Sequence, residues 1–91
     1  MNAQKKFELG RLLITPGIKD CLQHDEVMDA VNRHSRGDWG DLAAEDAQKN
    51  EWAIREKERI FSVYHSRGRQ KFWIITEADR SSTTVLLPEE Y

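Results

Sequence analysis

The chain has 91 residues, of which 38% are hydrophobic and 33% charged, and its formal net charge is -2. A chain of this length has room for one hydrophobic core, so we expect a single domain over residues 1–91. This mixture of apolar and charged residues is typical of a soluble globular protein and excludes a wholly disordered one. The slightly acidic balance argues against binding nucleic acid by phosphate neutralisation alone, and leaves only a local basic patch for that purpose.

Cysteine usage and hydropathy indicate the compartment. Cys21 is the single cysteine, which excludes an intramolecular disulfide and fits a reducing environment. No apolar stretch is long enough for a signal peptide or a membrane span. We therefore expect a cytoplasmic protein with no membrane partner.

The first third of the chain predicts a strand followed by two helices. Residues 1–6 are polar and are predicted to be disordered, and residues 7–15 have a β-like alternation. Thr15 is the expected N-cap of a short helix over about 16–23, with Pro16 at its first position. Asp25 is the expected N-cap of a second helix over about 26–34. Its core-facing stripe is Val27, Ala30, Val31 and His34.

A glycine-rich loop at 36–41 precedes a third predicted helix over about 42–58, which Asp41 is expected to cap. Its apolar stripe is weak and consists mainly of small residues: Ala43, Ala47, Asn50 or Glu51, and Ile54. Trp52 lies off that stripe. This helix is therefore a poor lid for a core.

The last third predicts three strands at 60–65, 71–77 and 83–87, joined by polar reversals at 66–70 and 78–82. The predicted class is α+β: an N-terminal strand and two or three helices packed on a C-terminal antiparallel meander of three strands, or of four if the first strand joins it. Alternation places four side chains in the core: Phe72, Ile74, Val85 and Leu87. The strands are apolar on both faces, so helices must cover one face and something else must partly cover the other.

Three segments carry a resemblance to a known family: Thr15-Pro16-Gly17, residues 37–42 and residues 73–91. From residue 7 onward the chain resembles the small plasmid-related proteins of bacterial plasmids and integrated mobile elements. That family has no established activity, so the resemblance implies a genomic context and no mechanism. Lys57 departs from the pattern, because a glycine helix stop is expected there.

Two groups of polar residues contain the side chains of a reactive site, and neither is predicted to be one. Cys21, His24, His34 and His65 are zinc-ligand types, but their spacing lacks the second pair that a tetrahedral site requires. Asp79 and the Ser81–Thr84 run, beside His65, are explained by hairpin-turn hydrogen bonds and strand propensity. We therefore predict no metal, no cofactor and no catalytic residue.

Basic residues near the hairpin ends form a candidate nucleic-acid contact. They are Arg67, Arg69, Lys71 and Arg80, and they alternate with Tyr64, Phe72 and Trp73. Sheets that bind RNA combine charge and stacking surface in this way. The net charge and the glutamates of the same region disfavour this interpretation.

The loop at 36–41 has two interpretations. In the structural one, Trp39 plugs the edge of the core and Asp41 caps a helix. In the functional one, an exposed Trp39 flanked by Arg36 and Asp38 anchors an interface.

Together these features predict an accessory protein of a bacterial mobile element that acts through contact with an unknown protein partner, without catalysis. The alternative is an RNA- or DNA-binding protein or a small nuclease. Because apolar residues occur on both sheet faces, we also predict a homodimer anchored by Trp52 or Trp73. In the competing monomer, the first strand and the Trp39 loop fold over the exposed region.

Overall fold

The computed structural model describes residues 4–91, which contain three α-helices and a four-stranded sheet, so the predicted α+β class is confirmed. In chain order the elements are β1 (Arg11–Ile14), α1 (Pro16–Cys21), α2 (His24–Ser35), α3 (Ala44–Glu56), β2 (Ile60–His65), β3 (Lys71–Thr76), β4 (Ser82–Leu86) and a 3-10 helix (Pro88–Glu90). Half of the segment predicted to be disordered, residues 1–3, lies outside the described residues. Lys6 is held in place, since its backbone N–H donates to the Ser35 carbonyl at 2.8 Å.

The sheet has the strand order β1-β4-β3-β2. β2, β3 and β4 form the predicted antiparallel meander, and β1 joins it as a fourth strand. β1 pairs with β4 in parallel, however, so the sheet is mixed rather than wholly antiparallel. A parallel pair requires a long crossover connection, and the three helices between β1 and the meander supply it.

β1 is shorter than predicted, because its backbone leaves the extended region at Gly10. This residue has a φ of +64°, and a Cβ there would collide with the carbonyl groups of Arg80 and Ser81. Only glycine tolerates both conditions. The β-like pattern upstream of Gly10 therefore belongs to an irregular segment that leads into the strand.

The start of α1 agrees with the prediction and the starts of the other helices do not. The Thr15 hydroxyl accepts a hydrogen bond from the Ile18 N–H at 3.3 Å, and Pro16 occupies the first turn. α2 begins before Asp25, which lies within the first turn, where a negative charge complements the helix dipole. α3 begins after Ala43 without a side-chain cap, because the Asp41 carboxylate is instead 2.7 Å from His65 Nδ1.

α3 ends at Glu56 because Lys57 takes up the left-handed conformation, with a φ of +57°. A glycine is the residue that usually ends a helix in this way. The helix stop that the family resemblance implies is thus present, but a lysine makes it. α3 is therefore two residues shorter at this end than the predicted helix.

The main core lies between α1, α2 and one face of the sheet, which we call the inner face. The four side chains predicted to be buried on the strands are all buried there, as is the predicted stripe of α2. From the helices, Ile18 and Leu22 join this core, whereas Cys21 points outward and is exposed. The i, i+3, i+4 spacing of Ile18, Cys21 and Leu22 predicts that Cys21 is buried with the other two, and that prediction is therefore wrong.

A second, smaller core lies beneath α3 and places this helix beside the free edge of β2. Its buried members are Phe7, Trp39, Ala53 and Ile60. Asn50 extends from α3 to bond both backbone groups of Phe61. α3, which was predicted to cover the core poorly, does not pack over a face of the sheet. It instead shields the backbone groups at the edge of β2.

Candidate interaction surface

The sheet face opposite α1 and α2 has no α-helix packed over it in the described part of the chain, and we call it the outer face. By strand alternation and pairing register it carries Arg11, Leu13, Phe61, Val63, His65, Lys71, Trp73, Ile75, Thr84 and Leu86. Val63, Ile75 and Leu86 are buried, while Phe61 and Trp73 are only partly buried. The larger aromatic side chains therefore cover the smaller aliphatic ones and are themselves incompletely covered.

Three aromatic rings cluster on this face, and we call them the aromatic cluster: Phe61, Trp73 and Tyr91. Edge-to-face contacts join them, with centroid distances of 5.1 Å between Phe61 and Trp73 and 5.7 Å between Trp73 and Tyr91. Tyr91 is 70% exposed. The Trp73 Nε1–H is buried without a hydrogen-bond partner in residues 4–91, an arrangement that costs about 1–3 kcal/mol.

Tyr91 reaches the outer face because Glu90 holds the preceding turn against the start of α1. The Glu90 carboxylate accepts from the Thr15 hydroxyl at 2.6 Å, from the Gly17 N–H at 3.0 Å and from the Leu87 N–H at 2.8 Å. The Thr15 hydroxyl is the main cause of a lowered Glu90 pKa. Glu89 and Glu90 predict that the end of the sequence is unsuited to covering the sheet. Tyr91 nonetheless contacts this face, because the Glu90 carboxylate is held at the start of α1.

Charged groups border the aromatic cluster. Arg59 donates to the Tyr91 hydroxyl at 2.8 Å and pairs with Glu77 at 3.4 Å. Arg11 and Lys71 are exposed on the same face. The surface is therefore an aromatic centre with a polar rim, which is the composition of many protein interfaces.

A groove of about 270 Å³ continues this surface toward α3. Its lining residues are Leu42, Asp46, Lys49, Asn50, Arg59 and Phe61. Phe61 belongs to both the groove and the aromatic cluster. A partner seated on the cluster would therefore find a concave extension beside it.

Trp39 is not an exposed anchor, and the functional interpretation of its loop is wrong. Its side chain is only 6% exposed, stacks on Phe7 and donates from Nε1 to Glu51 at 3.1 Å. Asp38 bonds Arg33 at 2.8 Å, and that bond is the main cause of a lowered Asp38 pKa. Arg36 is exposed at the end of α2. The structural interpretation holds for Trp39, and the helix cap assigned to Asp41 is wrong.

The other two tryptophans lie on different surfaces. Trp52 is 49% exposed on α3, apart from the small core, as its position off the apolar stripe predicts. Trp73 lies at the centre of the aromatic cluster. The two side chains therefore cannot belong to one binding surface. A substitution of one can serve as the control for a substitution on the surface of the other.

The four basic residues proposed as a nucleic-acid contact do not form one patch. Arg67 pairs with Glu26 at 2.9 Å and with Asp25 at 3.3 Å. Arg80 lies beyond the opposite end of β3, where it donates to backbone carbonyls including that of Ala53 at 2.9 Å. Arg69 and Lys71 are the two that remain exposed without such partners in the described residues.

The groups weighed as reactive sites are dispersed. No cluster of three or more His, Cys, Asp or Glu side chains that could hold a metal ion occurs within residues 4–91. The Asp79 carboxylate accepts from the Ser81 N–H at 2.9 Å, as expected for a hairpin turn. His65 is at the opposite end of β3 from that turn. The geometry therefore assembles no nucleophile and base from these residues.

Several residues of the outer surface were missed as candidates, namely Leu13, Arg59, Phe61 and Tyr91. The available signal was the apolar character of both strand faces, which predicted that the second face needs a further cover but did not assign Phe61 to either face. For Tyr91 there was no signal, because its position depends on contacts between residues 15–17 and 90. Contacts between residues so far apart produce no periodic pattern in the sequence.

Comparison with family models, curated proteins and solved structures finds no match to this chain. Within residues 4–91, no helix combines the length and the hydropathy that crossing a membrane requires.

Proposed function

We propose that this chain is a non-catalytic accessory protein that binds another protein through the aromatic cluster of its outer face. The observation that carries the proposal is the grouping of three incompletely covered aromatic rings on the sheet face that has no α-helix over it in the described residues. Aromatic side chains, surrounded by a polar rim, dominate the binding energy of many protein interfaces. The buried, unpaired Trp73 N–H supports this choice. A buried donor without a partner destabilises the fold, and such a loss of stability is expected where a surface is retained for function.

The distribution of charge favours a protein partner over nucleic acid. Arg67 and Arg80 are engaged by carboxylates and backbone carbonyls, and Arg59 on the rim is paired with Glu77. Binding to phosphates needs cations that are free to replace counterions. With a net charge of -2, the molecule has no surplus of positive charge to compensate for the arginines that are already paired.

The proposal includes the biological setting of a bacterial plasmid or integrated mobile element. Its support is the family resemblance carried by residues 15–17, 37–42 and 73–91. In this structure the first segment starts α1 and the last contains two of the three cluster rings. Two of the resembling segments thus meet, since Glu90 bonds Thr15 and Gly17.

A paired-variant capture experiment tests the protein-binding function. Tyr91→Ser removes the most exposed ring of the cluster, and Trp52→Ser removes another exposed ring, on α3, as a matched control. We expect the wild type and Trp52→Ser to retain the same protein from a lysate of the native host, and Tyr91→Ser to retain at least ~10-fold less. Equal retention by all three proteins would contradict the assignment of the surface.

Single-stranded nucleic acid is the second candidate, because Arg11 and Lys71 lie on the same face as the aromatic cluster. Stacking of bases on aromatic rings beside such cations is the usual mode for open sheets. Tryptophan fluorescence titration with single-stranded oligonucleotides at physiological salt distinguishes the two. Saturable quenching that Tyr91→Ser abolishes and salt weakens would replace the protein-partner proposal with this one.

A further inference from the structure

The two edges of the sheet differ in protection. At the β2 edge, Asn50 bonds both backbone groups of Phe61 at 3.1 and 2.7 Å. Further along that edge, Val63 exchanges backbone hydrogen bonds with Trp39 and Asp41 at 3.2 and 2.7 Å. β2 therefore offers no free pairing groups along this stretch.

The β1 edge has no such cover. The N–H groups of Arg11 and Thr15 donate to the carbonyl groups of Ser81 and Val85, at 3.0 and 3.2 Å, so the backbone groups of the odd-numbered residues of β1 point toward β4. The backbone groups of Leu12 and Ile14 must then point away from the sheet. In the described part of the chain neither has a hydrogen-bond partner on that side.

The side chains of β1 do not guard this edge either. Edge strands usually carry charges, prolines or bulges that prevent pairing with another chain. Three of the four residues of β1 are aliphatic, and Leu13 is 41% exposed on the outer face. Arg11 is the one charge, at the end of the strand.

We infer that a second copy of this chain pairs with the β1 edge, antiparallel, with Leu13 opposite its own counterpart. In this register Leu12 of each copy faces Ile14 of the other, and each such pair exchanges both of its backbone hydrogen bonds. Leu13 and its counterpart form the close pair without hydrogen bonds on the two-fold axis. The interface is isologous, as in most homodimers.

This register favours a second copy of the chain as the strand that pairs with the β1 edge. It places aliphatic residues opposite aliphatic residues and sets Arg11 against Thr15, so that like charges do not face each other. Gly10 turns the backbone before the strand and Pro16 begins a helix after it, which limits the available edge to the length of β1 itself. A strand of the same length, bounded in the same way, matches that edge at both ends.

The dimer would have one continuous sheet of eight strands, four from each copy. The two-fold axis is perpendicular to such a sheet, so both outer faces lie on the same side. β3 of one copy and β3 of the other are five strand spacings apart, or ~24 Å. Two aromatic clusters would thus be presented together, but the pairing of β1 does not depend on what they bind.

A charge-swap experiment tests both the interface and the register. We expect the wild type to sediment as a dimer at tens of micromolar. Leu13→Lys and Leu13→Glu should each weaken association by at least ~10-fold, because like charges would face each other. Mixing these two variants should restore the dimer, since only a register that places residue 13 opposite itself brings lysine against glutamate. Trp52→Lys, the control on α3, should leave association unchanged.

A cross-linking variant gives an independent measurement if the charged variants fold poorly. Directly opposed residues without hydrogen bonds have Cα atoms about 4.5 Å apart, within the range of a disulfide. Leu13→Cys in a Cys21→Ser background should therefore form a covalent dimer under mild oxidation, and Trp52→Cys in the same background should not.

Three results would overturn the inference: a monomeric wild type at these concentrations, no rescue on mixing two folded charge variants, or dissociation by Trp52→Lys. The last would assign the interface to α3. Since Tyr91→Ser leaves β1 intact, failure of the proposed binding function and failure of this dimer are separate outcomes.

Discussion

At the scale of single residues, the least expected feature is a polar chain buried beneath α2. His34 lies 2.5 Å from the Ser62 hydroxyl through Nδ1 and 2.9 Å from the Thr76 hydroxyl through Nε2. Thr76 is 2.7 Å from the Thr83 hydroxyl, which bonds the Leu9 carbonyl at 2.7 Å. The chain joins α2, three strands and the segment before β1 across the inner face.

The direction of most bonds in this chain follows from its last member. A carbonyl can only accept, so Thr83 donates to Leu9 and must accept from Thr76. Thr76 has then used its only hydrogen, so His34 donates to it from Nε2. Burial lowers the pKa of His34 and keeps the ring neutral, which leaves Nδ1 to accept from the Ser62 hydroxyl.

We predict that His34 makes the fold sensitive to acid. Burial lowers the pKa of His34 from 6.5 to about 3, so between these values the unfolded chain binds a proton that the folded chain does not. Stability must then fall as the pH is lowered through this window, by up to about 1.4 kcal/mol per pH unit. Urea denaturation between pH 7 and pH 4 measures the slope.

The control is His34→Gln, whose side-chain amide can still donate and accept hydrogen bonds but does not titrate. Its free energy of unfolding at pH 7 should be lower than that of the wild type, and its pH slope shallower by close to one proton. Asp38 also has a lowered pKa and contributes a slope of the same sign at lower pH in both proteins. If the two proteins had the same slope, His34 would not be the buried neutral base that the hydrogen bonds indicate.

At the scale of elements, the edge of β2 depends on one side chain of α3. Asn50 is buried and satisfies both backbone groups of Phe61. These two hydrogen bonds also hold α3 to the sheet, since the helix contributes few large apolar residues of its own. This combination explains why a helix with a weak stripe is nonetheless part of the fold.

We predict that Asn50→Ala destabilises the protein by roughly 1–3 kcal/mol, because it leaves a buried donor and acceptor unpaired. Equilibrium unfolding in urea gives the magnitude. Hydrogen exchange locates it, since the Phe61 amide should lose protection while the Ile74 amide, in the middle of the sheet, should lose no more than the global change. Lys49→Ala, on the exposed side of the same helix, should cost under about 0.5 kcal/mol. Equal effects of the two substitutions would show that Asn50 does not guard the edge.

At the scale of the whole molecule, Glu90 closes the fold by bonding residues 73 and 75 positions earlier in the sequence. These contacts fix the start of α1 and the position of Tyr91 together. Contacts of such long separation are costly to form early, because the loop between them must be closed first. We expect them to form after the meander.

Glu90→Ala should therefore accelerate unfolding while changing the folding rate by less than about twofold, as expected for contacts absent from the transition state. Stopped-flow measurements in urea separate the two rates. Glu89→Ala, at the exposed neighbouring residue, should leave both rates unchanged. A slower folding rate in Glu90→Ala, with unfolding unaffected, would place this closure early in folding instead.

The features that were predicted correctly from the sequence are local. Alternation identified the meander and its core side chains, Thr15 and Pro16 marked the start of α1, and the stripe of α2 correctly included His34. Each of these depends on residues within a few positions of each other, where backbone geometry and burial impose a period of two or of 3.6. The α+β class follows from the order of such segments.

The partners of residues far apart in the sequence, and the direction of strand pairing, could not be predicted from it. Asp41 pairs with His65 instead of capping α3, Arg80 is taken up by backbone carbonyls, and β1 lies parallel to β4. The sequence pattern of a polar residue is the same whether it caps its own helix or bonds a group 24 residues away. For that reason the aromatic cluster and the free β1 edge, both products of long-range pairing, became visible only in the fold.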